Sequence, residues 1–104
     1  MNKESVVRRA PLPRASDFTR AFKKDRERYN KAGKVDMNRA IELMELIIFR
    51  KSLGAEWSDH QLSGNEGGGA REAHIGGDFL LIYHCDDDSV EFIRLGSHTE
   101  LFGR

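Results

Sequence analysis

The chain has few of the features that mark membrane, secreted or disulfide-stabilised proteins. Cys85 is its only cysteine, which excludes an internal disulfide. It lies in an apolar run, so a buried, inert thiol is favoured over a nucleophile. No apolar run approaches the roughly 20 residues of a membrane span. The N-terminus lacks an apolar signal region, so we expect a cytoplasmic protein with no membrane partner.

The composition predicts one small domain. The chain has 104 residues, of which 38% are hydrophobic and 33% are charged, enough for a single modest core. We expect one domain over residues 1–104. Residues 1–14, which hold both prolines, are interpreted as a partly flexible N-terminal segment, either a tail or part of a partner interface.

The net charge of zero conceals an asymmetry between the two parts of the chain. Residues 1–40 carry 12 Lys and Arg against 5 Asp and Glu, and residues 41–104 carry 5 against 12. The first part is therefore +7 and the second −7. Such asymmetry is typical of nucleic-acid binding, but a solvated basic helix on an internally neutralised fold explains it equally well.

Two helices are predicted first along the chain. Ser16 is a suitable N-cap for the helix DFTRAFKKDRERYNK, and Gly33 ends it. Asp36 caps a second helix that runs to Gly54. The short connection between them predicts an αα-hairpin. The second helix has one apolar face, formed by Met37, Ile41, Met44, Ile47 and Ile48.

Three strands and a short helix are predicted after the hairpin. Residues 70–76, the apolar run FLLIYHC and the segment VEFIRLGS are separated by tight turns, which favours an antiparallel sheet. The segment VVRR could add an edge strand, whereas Ser97 and Glu100 form the capping box of a short terminal helix. The predicted fold is α+β, with an N-terminal helical hairpin packed on a small antiparallel sheet.

Six of the ten glycines lie in one stretch, from Ser63 to Phe79. The stretch lacks GxxxxGK[ST] and does not run from a strand into a helix, so a phosphate-binding P-loop is excluded. We interpret GNEGGG as a flexible turn. On the following strand, Glu72 and His74 share one face, while Ala73 and Ile75 share the face expected to pack on the helices.

Histidine supplies most of the candidate chemistry. Three of His60, His74, His84 and His98 lie near predicted strand ends, where sites are often built. Imidazoles there could transfer protons or bind a metal, although each histidine alone is more often a surface residue. The spacings match no compact zinc pattern, so no metal is predicted. The Gly76-Gly77 turn could bring Asp78 back near His74.

Three motifs together resemble one family. The strings WSDHQLSG, REAHIGGDFLLIY and RLGSHTELFG, between about Trp57 and Gly103, are similar to the YafQ branch of the RelE/ParE toxin superfamily. The resemblance implies a RelE-like fold and a ribosome-dependent endoribonuclease that cuts mRNA in the A site without a cofactor. It also implies partners: a cognate antitoxin, the ribosome with its mRNA, and operator DNA only through the antitoxin.

The resemblance also implies a set of site residues. RNA supplies its own 2′-OH nucleophile, so the enzyme needs a base, an acid and a positive charge. In this interpretation histidines share the acid and base roles, Asp78 orients an imidazole or acts as base, and Phe102 stacks on a base. Arg71 or an imidazolium steadies the transition state, and Glu72 stands where the family often has Asp. The catalytic candidates are His60, His74, Asp78, His98 and Phe102, and the RNA-binding candidates are Arg71, Glu72, Lys23, Lys24 and Arg28.

The motifs leave other functions open. A gyrase-poisoning toxin of the ParE type would have the same fold, but that branch generally lacks the histidine and acidic set. A degenerate toxin that only binds its antitoxin is suggested by the glycine-rich loop, which replaces bulkier and basic residues of the family. An unrelated α+β binding domain is the remaining alternative.

Overall fold

The structure, a computed structural model, describes residues 12–62 and 69–103, and it confirms the predicted α+β class. No described helix is long and apolar enough to cross a membrane. A single 3₁₀ turn, Ala55–Trp57, follows the second helix. The strands are β1 (Ala15–Phe18), β2 (His60–Gln61), β3 (Arg71–Gly76), β4 (Phe79–Cys85) and β5 (Ser89–Ser97), and the helices are α1 (Arg20–Ala32), α2 (Met37–Ile48) and α3 (His98–Phe102).

The five described strands form one mixed sheet in the order β1-β5-β4-β3-β2. Strands β2 to β5 pair antiparallel, which confirms the three predicted strands and their orientation. The whole sheet is mixed, because β1, a strand that the sequence did not predict, pairs parallel to β5. The predicted edge strand VVRR, like most of the predicted GNEGGG turn, lies outside the described residues.

The first helix begins later than predicted. Ser16 is not its cap, because residues 15–18 are extended and pair with residues 89–92 of β5. The free edge of β5 offers backbone partners that a helix beginning at Ser16 would leave unused. Thr19 caps α1 instead: its Oγ1 accepts from the Phe22 N–H at 2.9 Å and donates to the Ile93 carbonyl.

The hairpin connection is as predicted, but the second helix is shorter. Gly33 ends α1 with a φ of 66°, and Asp36 Oδ1 accepts from the N–H groups of Asn38 and Arg39. The prediction that Gly54 ends the second helix is wrong. That helix ends at Ile48, and Gly54 caps the following 3₁₀ turn.

The core lies between the helical hairpin and one face of the sheet. Ala73 and Ile75 are buried in it, as their alternation with Glu72 and His74 predicted. Ile41, predicted to face the core, is 48% exposed. Each large apolar side chain buried here contributes about 1.5–3 kcal/mol. Among the described residues, the largest fully buried side chains in this core are Trp57, Phe22, Phe92, Leu43, Ile75, Leu81, Leu95 and Val90, and Leu80 is equally buried on the other face of the sheet.

Candidate active site on the open face of the sheet

Three side chains from neighbouring strands form the first cluster of the candidate site. β2 pairs with β3 so that His60 lies opposite Glu72, and His74 lies two residues along β3 on the same face. We call this face, opposite to that of Ala73 and Ile75, the open face. Glu72 Oε2 lies 2.9 Å from His74 Nε2 and 3.7 Å from His60 Nε2. The Glu72 side chain is only 7% exposed.

The two imidazoles of this cluster have different hydrogen-bond partners. His60 Nδ1 lies 2.9 Å from the Ser58 carbonyl oxygen, which can only accept. In the neutral ring Nδ1 therefore carries the proton, and Nε2 keeps its lone pair. His74 Nε2 lies 2.9 Å from Glu72 Oε2, and a carboxylate there can only accept, so the proton of the neutral ring is then on Nε2 and Nδ1 keeps the lone pair. Each ring thus has one nitrogen that can accept a proton.

The terminal helix carries the second cluster. His98 is the first residue of α3, and its ring centroid lies 5.0 Å from that of Phe102. Ser97 Oγ caps the helix by accepting from the Glu100 N–H at 3.1 Å, as predicted. The His98 N–H donates to the Asp78 carbonyl oxygen at 3.1 Å and is 3.3 Å from Asp78 Oδ1. Asp78 therefore holds the backbone at the start of α3, and among the described residues no hydrogen bond or ion pair joins its carboxylate to an imidazole.

The strand register places the two clusters side by side. His74 pairs with Leu80, and Leu80 pairs with Gly96, so these three residues form one row across three strands. Two strand spacings separate His74 from Gly96 by about 10 Å. A Cβ at Gly96 would lie 3.1 Å from Leu101 Cδ2, so α3 packs over the open face at this glycine. His98 follows two residues later.

Arg94 was missed by the sequence analysis, although it lies in the quoted motif RLGSH. The register pairs Glu72 with Ile82 and Ile82 with Arg94, and cross-strand partners point to the same face. Arg94 therefore lies in the row next to that of His74. The pairing of β4 with β5 shifts register between Ile82 and Tyr83, so Ile93 is an extra residue in β5. Because of this bulge, Arg94 points to the face opposite to that of Phe92.

Arg71 lies on the opposite face from His74. Its guanidinium binds Asp59, with Nη2 2.7 Å from Oδ2, and the Tyr83 hydroxyl donates to the same carboxylate at 2.5 Å. Burial, reinforced by the neighbouring Asp59 carboxylate, raises the pKa of Tyr83 well above its ordinary value. Arg71 thus braces the start of β3 and is not gathered into the two clusters.

The predicted basic residues lie on α1. Lys23 and Lys24 are exposed, and with Arg20, Arg26 and Lys31 they line a shallow groove of about 550 Å³. Arg28, predicted with them, has a different position: its Nη2 lies 3.0 Å from Asp25 Oδ1 and 2.5 Å from Glu100 Oε2.

The first cluster also fits a metal ion. Candidate ligand atoms of His60, Glu72 and His74 all lie within 4.8 Å of one another. Two imidazole nitrogens and one carboxylate oxygen suit zinc or copper. The sequence spacings could not indicate this set, because the β2–β3 pairing creates it.

Comparison with known proteins extends these observations. The family described as "Bacterial toxin of type II toxin-antitoxin system, YafQ" matches residues 14–103. The mRNA interferase toxin YafQ of Escherichia coli K12 is 37% identical over 93 residues, which are 88% of this chain and 99% of that protein.

Solved structures show the same fold. The YafQ chain of the E. coli DinJ-YafQ toxin-antitoxin complex has a TM-score of 0.81 and is 36% identical, with 88% of this chain and all of that chain covered. A metal-bound toxin from Helicobacter pylori has a TM-score of 0.74 and 27% identity, with coverages of 85% and 98%.

Proposed function

Because this chain belongs to the YafQ family of toxins of type II toxin–antitoxin systems, we propose that it is a ribosome-dependent endoribonuclease that cuts mRNA in the A site. The name of the E. coli relative, an mRNA interferase toxin, supports this activity. The observation that carries the proposal is the open face itself. There the His60, Glu72 and His74 cluster lies beside the helix that bears His98 and Phe102.

The reaction needs only proton transfer and charge stabilisation. A base removes the proton of the 2′-OH, and the 2′ oxygen attacks the adjacent phosphorus. The bond from phosphorus to the 5′ oxygen breaks, and an acid protonates that oxygen. The products are a 2′,3′-cyclic phosphate and a free 5′-OH. Attacking and leaving oxygens lie on opposite sides of phosphorus, so acid and base must approach from two sides.

One cluster can supply the base on one side of phosphorus, and the other can supply the acid on the opposite side. Glu72 holds His74 Nε2–H, which leaves Nδ1 of His74 to take the 2′-OH proton. His98 follows by two residues Gly96, which lies across the sheet from His74 in the row through Leu80, and when protonated it can give a proton to the 5′ oxygen. His60, next to Glu72, adds positive charge when it is protonated. This division of roles is a hypothesis that single alanine variants test.

Positive charge beside the phosphate is assigned to Arg94. The sequence pointed to Arg71, but Arg71 lies on the other face, where it is bound to Asp59. The register places Arg94 in the row of Glu72 and Ile82, and from there its guanidinium, which is paired with Asp25, can meet charge that develops on phosphoryl oxygens. Phe102, 39% exposed, has a ring surface on which a displaced base can stack.

A metal ion is not required by this proposal. An ion held by His60, Glu72 and His74 would act as a Lewis acid on a phosphoryl oxygen. The same atoms, without an ion, already offer a base and a carboxylate that orients it. A chelator experiment, described in the Discussion, separates the two cases.

Two kinds of partner follow from the proposal. The E. coli relative was solved with the antitoxin DinJ, so we propose a cognate antitoxin for this chain, with operator DNA reached only through it. Lys23 and Lys24 on α1 are proposed to contact ribosomal RNA phosphates, which give affinity without sequence choice. In vitro translation tests the whole proposal: cleaved mRNA supports it, whereas inhibited DNA supercoiling with intact mRNA would indicate a gyrase poison.

A further inference from the structure

Asp25 is a buried carboxylate at the contact between α1 and β5. It is only 3% exposed, and four hydrogen bonds end on it. Oδ2 accepts from Arg94 Nε at 2.7 Å and from the Leu95 N–H at 2.9 Å. Oδ1 accepts from Arg94 Nη2 at 3.2 Å and from Arg28 Nη2 at 3.0 Å. A buried charge is tolerated only when it is paired in this way.

The bond to Arg94 fixes a flexible side chain of the candidate site. An arginine has several rotatable bonds, and a two-pronged contact with a carboxylate selects one orientation of its fork. Among the described residues, Asp25 is the only side chain that accepts from Arg94. The Leu95 N–H, bound to the same oxygen, ties this arrangement to the backbone of β5.

A second connection leads from Asp25 to α3. Arg28 bridges Asp25 and Glu100, and the Tyr29 hydroxyl donates to Glu100 Oε1 at 2.5 Å. Glu100 lies on α3 between His98 and Phe102. The same carboxylate on α1 is therefore linked to both parts of the candidate site that lie on β5 and α3.

We propose that Asp25 is a positioning residue for RNA cleavage, which aims the Arg94 guanidinium at the scissile phosphate and steadies α3 through Arg28 and Glu100. The inference rests on the proposed function and goes beyond the residues that the sequence motifs supply. Asp25 itself does not touch RNA; it acts through Arg94. A displacement of about 1 Å in a catalytic group can lower a rate by about 10²-fold.

The test compares Asp25→Asn with Glu42→Gln. Both variants remove one negative charge from a helix of the hairpin, but Glu42 is exposed on α2 and does not line the basic groove of α1. Single-turnover mRNA cleavage on programmed ribosomes and ribosome affinity are measured separately, with folding followed by circular dichroism. We expect Asp25→Asn to lower the cleavage rate by about 10–100-fold at unchanged ribosome affinity. Glu42→Gln should cleave like the wild type.

A double-mutant cycle with Arg94→Ala distinguishes positioning from a general structural role. If Asp25 acts mainly through Arg94, Asp25→Asn lowers the cleavage rate much less in the Arg94→Ala background than in the wild type. An equal further loss in both backgrounds overturns the inference, as does an Asp25→Asn rate equal to that of Glu42→Gln.

A measurement on the wild-type protein keeps the inference testable if Asp25→Asn does not fold. In ¹⁵N NMR spectra, Arg94 Nε–H should give a separate, slowly exchanging signal because Asp25 Oδ2 accepts from it. A signal that exchanges as fast as those of exposed arginines overturns the inference. If the wild type does not cut mRNA at all, the proposed function fails first; if the wild type cuts and Asp25→Asn cuts equally well, only the positioning role fails.

Discussion

The Glu72 carboxylate lies 2.9 Å from His74 Nε2 and is nearly buried between His74 and His60. With a carboxylate at Glu72, this contact places the His74 proton on Nε2 and leaves Nδ1 as the base. A carboxylate this little exposed is tolerated because it is paired with the two histidines. The account of RNA cleavage depends on this pair and on its position beside α3.

Replacement of Glu72 by glutamine should impair cleavage. The Glu72→Gln variant keeps the size of the side chain but loses the charge that holds His74 Nε2–H and stabilises a protonated ring. Since a positioned acid or base contributes about 10²–10⁴-fold, we expect a loss of at least about 10²-fold in single-turnover rate. Glu91→Gln, at an exposed position on β5, is the matched control. Equal rates for the two variants would contradict the role of Glu72.

Binding to the ribosome should depend strongly on salt and on Lys24. Each lysine that contacts a phosphate releases a counterion, so its removal lowers the slope of log affinity against log salt by about 1. We expect this change for Lys24→Ala. Lys51→Ala removes the same charge from a different surface, near Asp59 and Tyr83, and should leave the slope unchanged. A flat salt response of the wild type would count against a ribosomal RNA interface on α1.

The free energy of unfolding in acid should depend on the charge of Asp25. Burial alone raises the pKa of Asp25, but hydrogen bonds from Arg94 and Leu95 outweigh it, and the folded-state pKa lies below the ordinary value. Its contribution is therefore complete above the unfolded-state pKa of about 3.9 and is lost as pH falls through the lower folded-state pKa.

Urea unfolding of the wild type and Asp25→Asn checks this expectation. The difference in unfolding free energy should be about 2 kcal/mol at neutral pH, because charged hydrogen bonds are lost. It should stay constant down to about pH 5 and narrow below about pH 4. A difference that does not change between about pH 7 and about pH 3 would show that the Asp25 charge does not contribute.

Cleavage should survive removal of transition metals. A chelator selective for zinc and copper, with Mg²⁺ retained for the ribosome, should leave the rate within about twofold, because proton transfer by His74 and His98 needs no ion. The experiment is needed because one metal ion could be bound by the ligand atoms of His60, Glu72 and His74. Loss of activity that added zinc restores would replace the proposed mechanism with a metal-assisted one.

The sequence was sufficient for much of the fold. Helix caps at Gly33 and Asp36, alternation along β3 and the N-cap at Ser97 are local features, and the structure confirms them. The other half of the predicted capping box is not seen among the described residues, because the Glu100 carboxylate binds Arg28 and Tyr29. The parallel strand β1 was missed because its formation depends on the free edge of β5, far away in the chain. Ser16 and Thr19 are both good caps, and only this distant pairing selects Thr19.

The candidate site was predictable in its residue types but not in its geometry. Strict alternation from the buried Phe92 would place Arg94 on the core side, and the extra residue Ile93 reverses this. Arg71 has the charge that the chemistry needs, but its face and its bond to Asp59 become evident only from the folded sheet. The role of Asp25 depends on contacts with β5, 69 and 70 residues along the chain.

Primer extension on a defined mRNA, incubated with the protein with and without ribosomes, tests the central claim most directly. His98→Ala and the exposed His84→Ala are compared with the wild type. The account predicts in-frame cuts that require ribosomes, persist in His84→Ala and are lost in His98→Ala. Intact mRNA with the wild-type protein, or cuts that are independent of ribosomes and of His98, would contradict it.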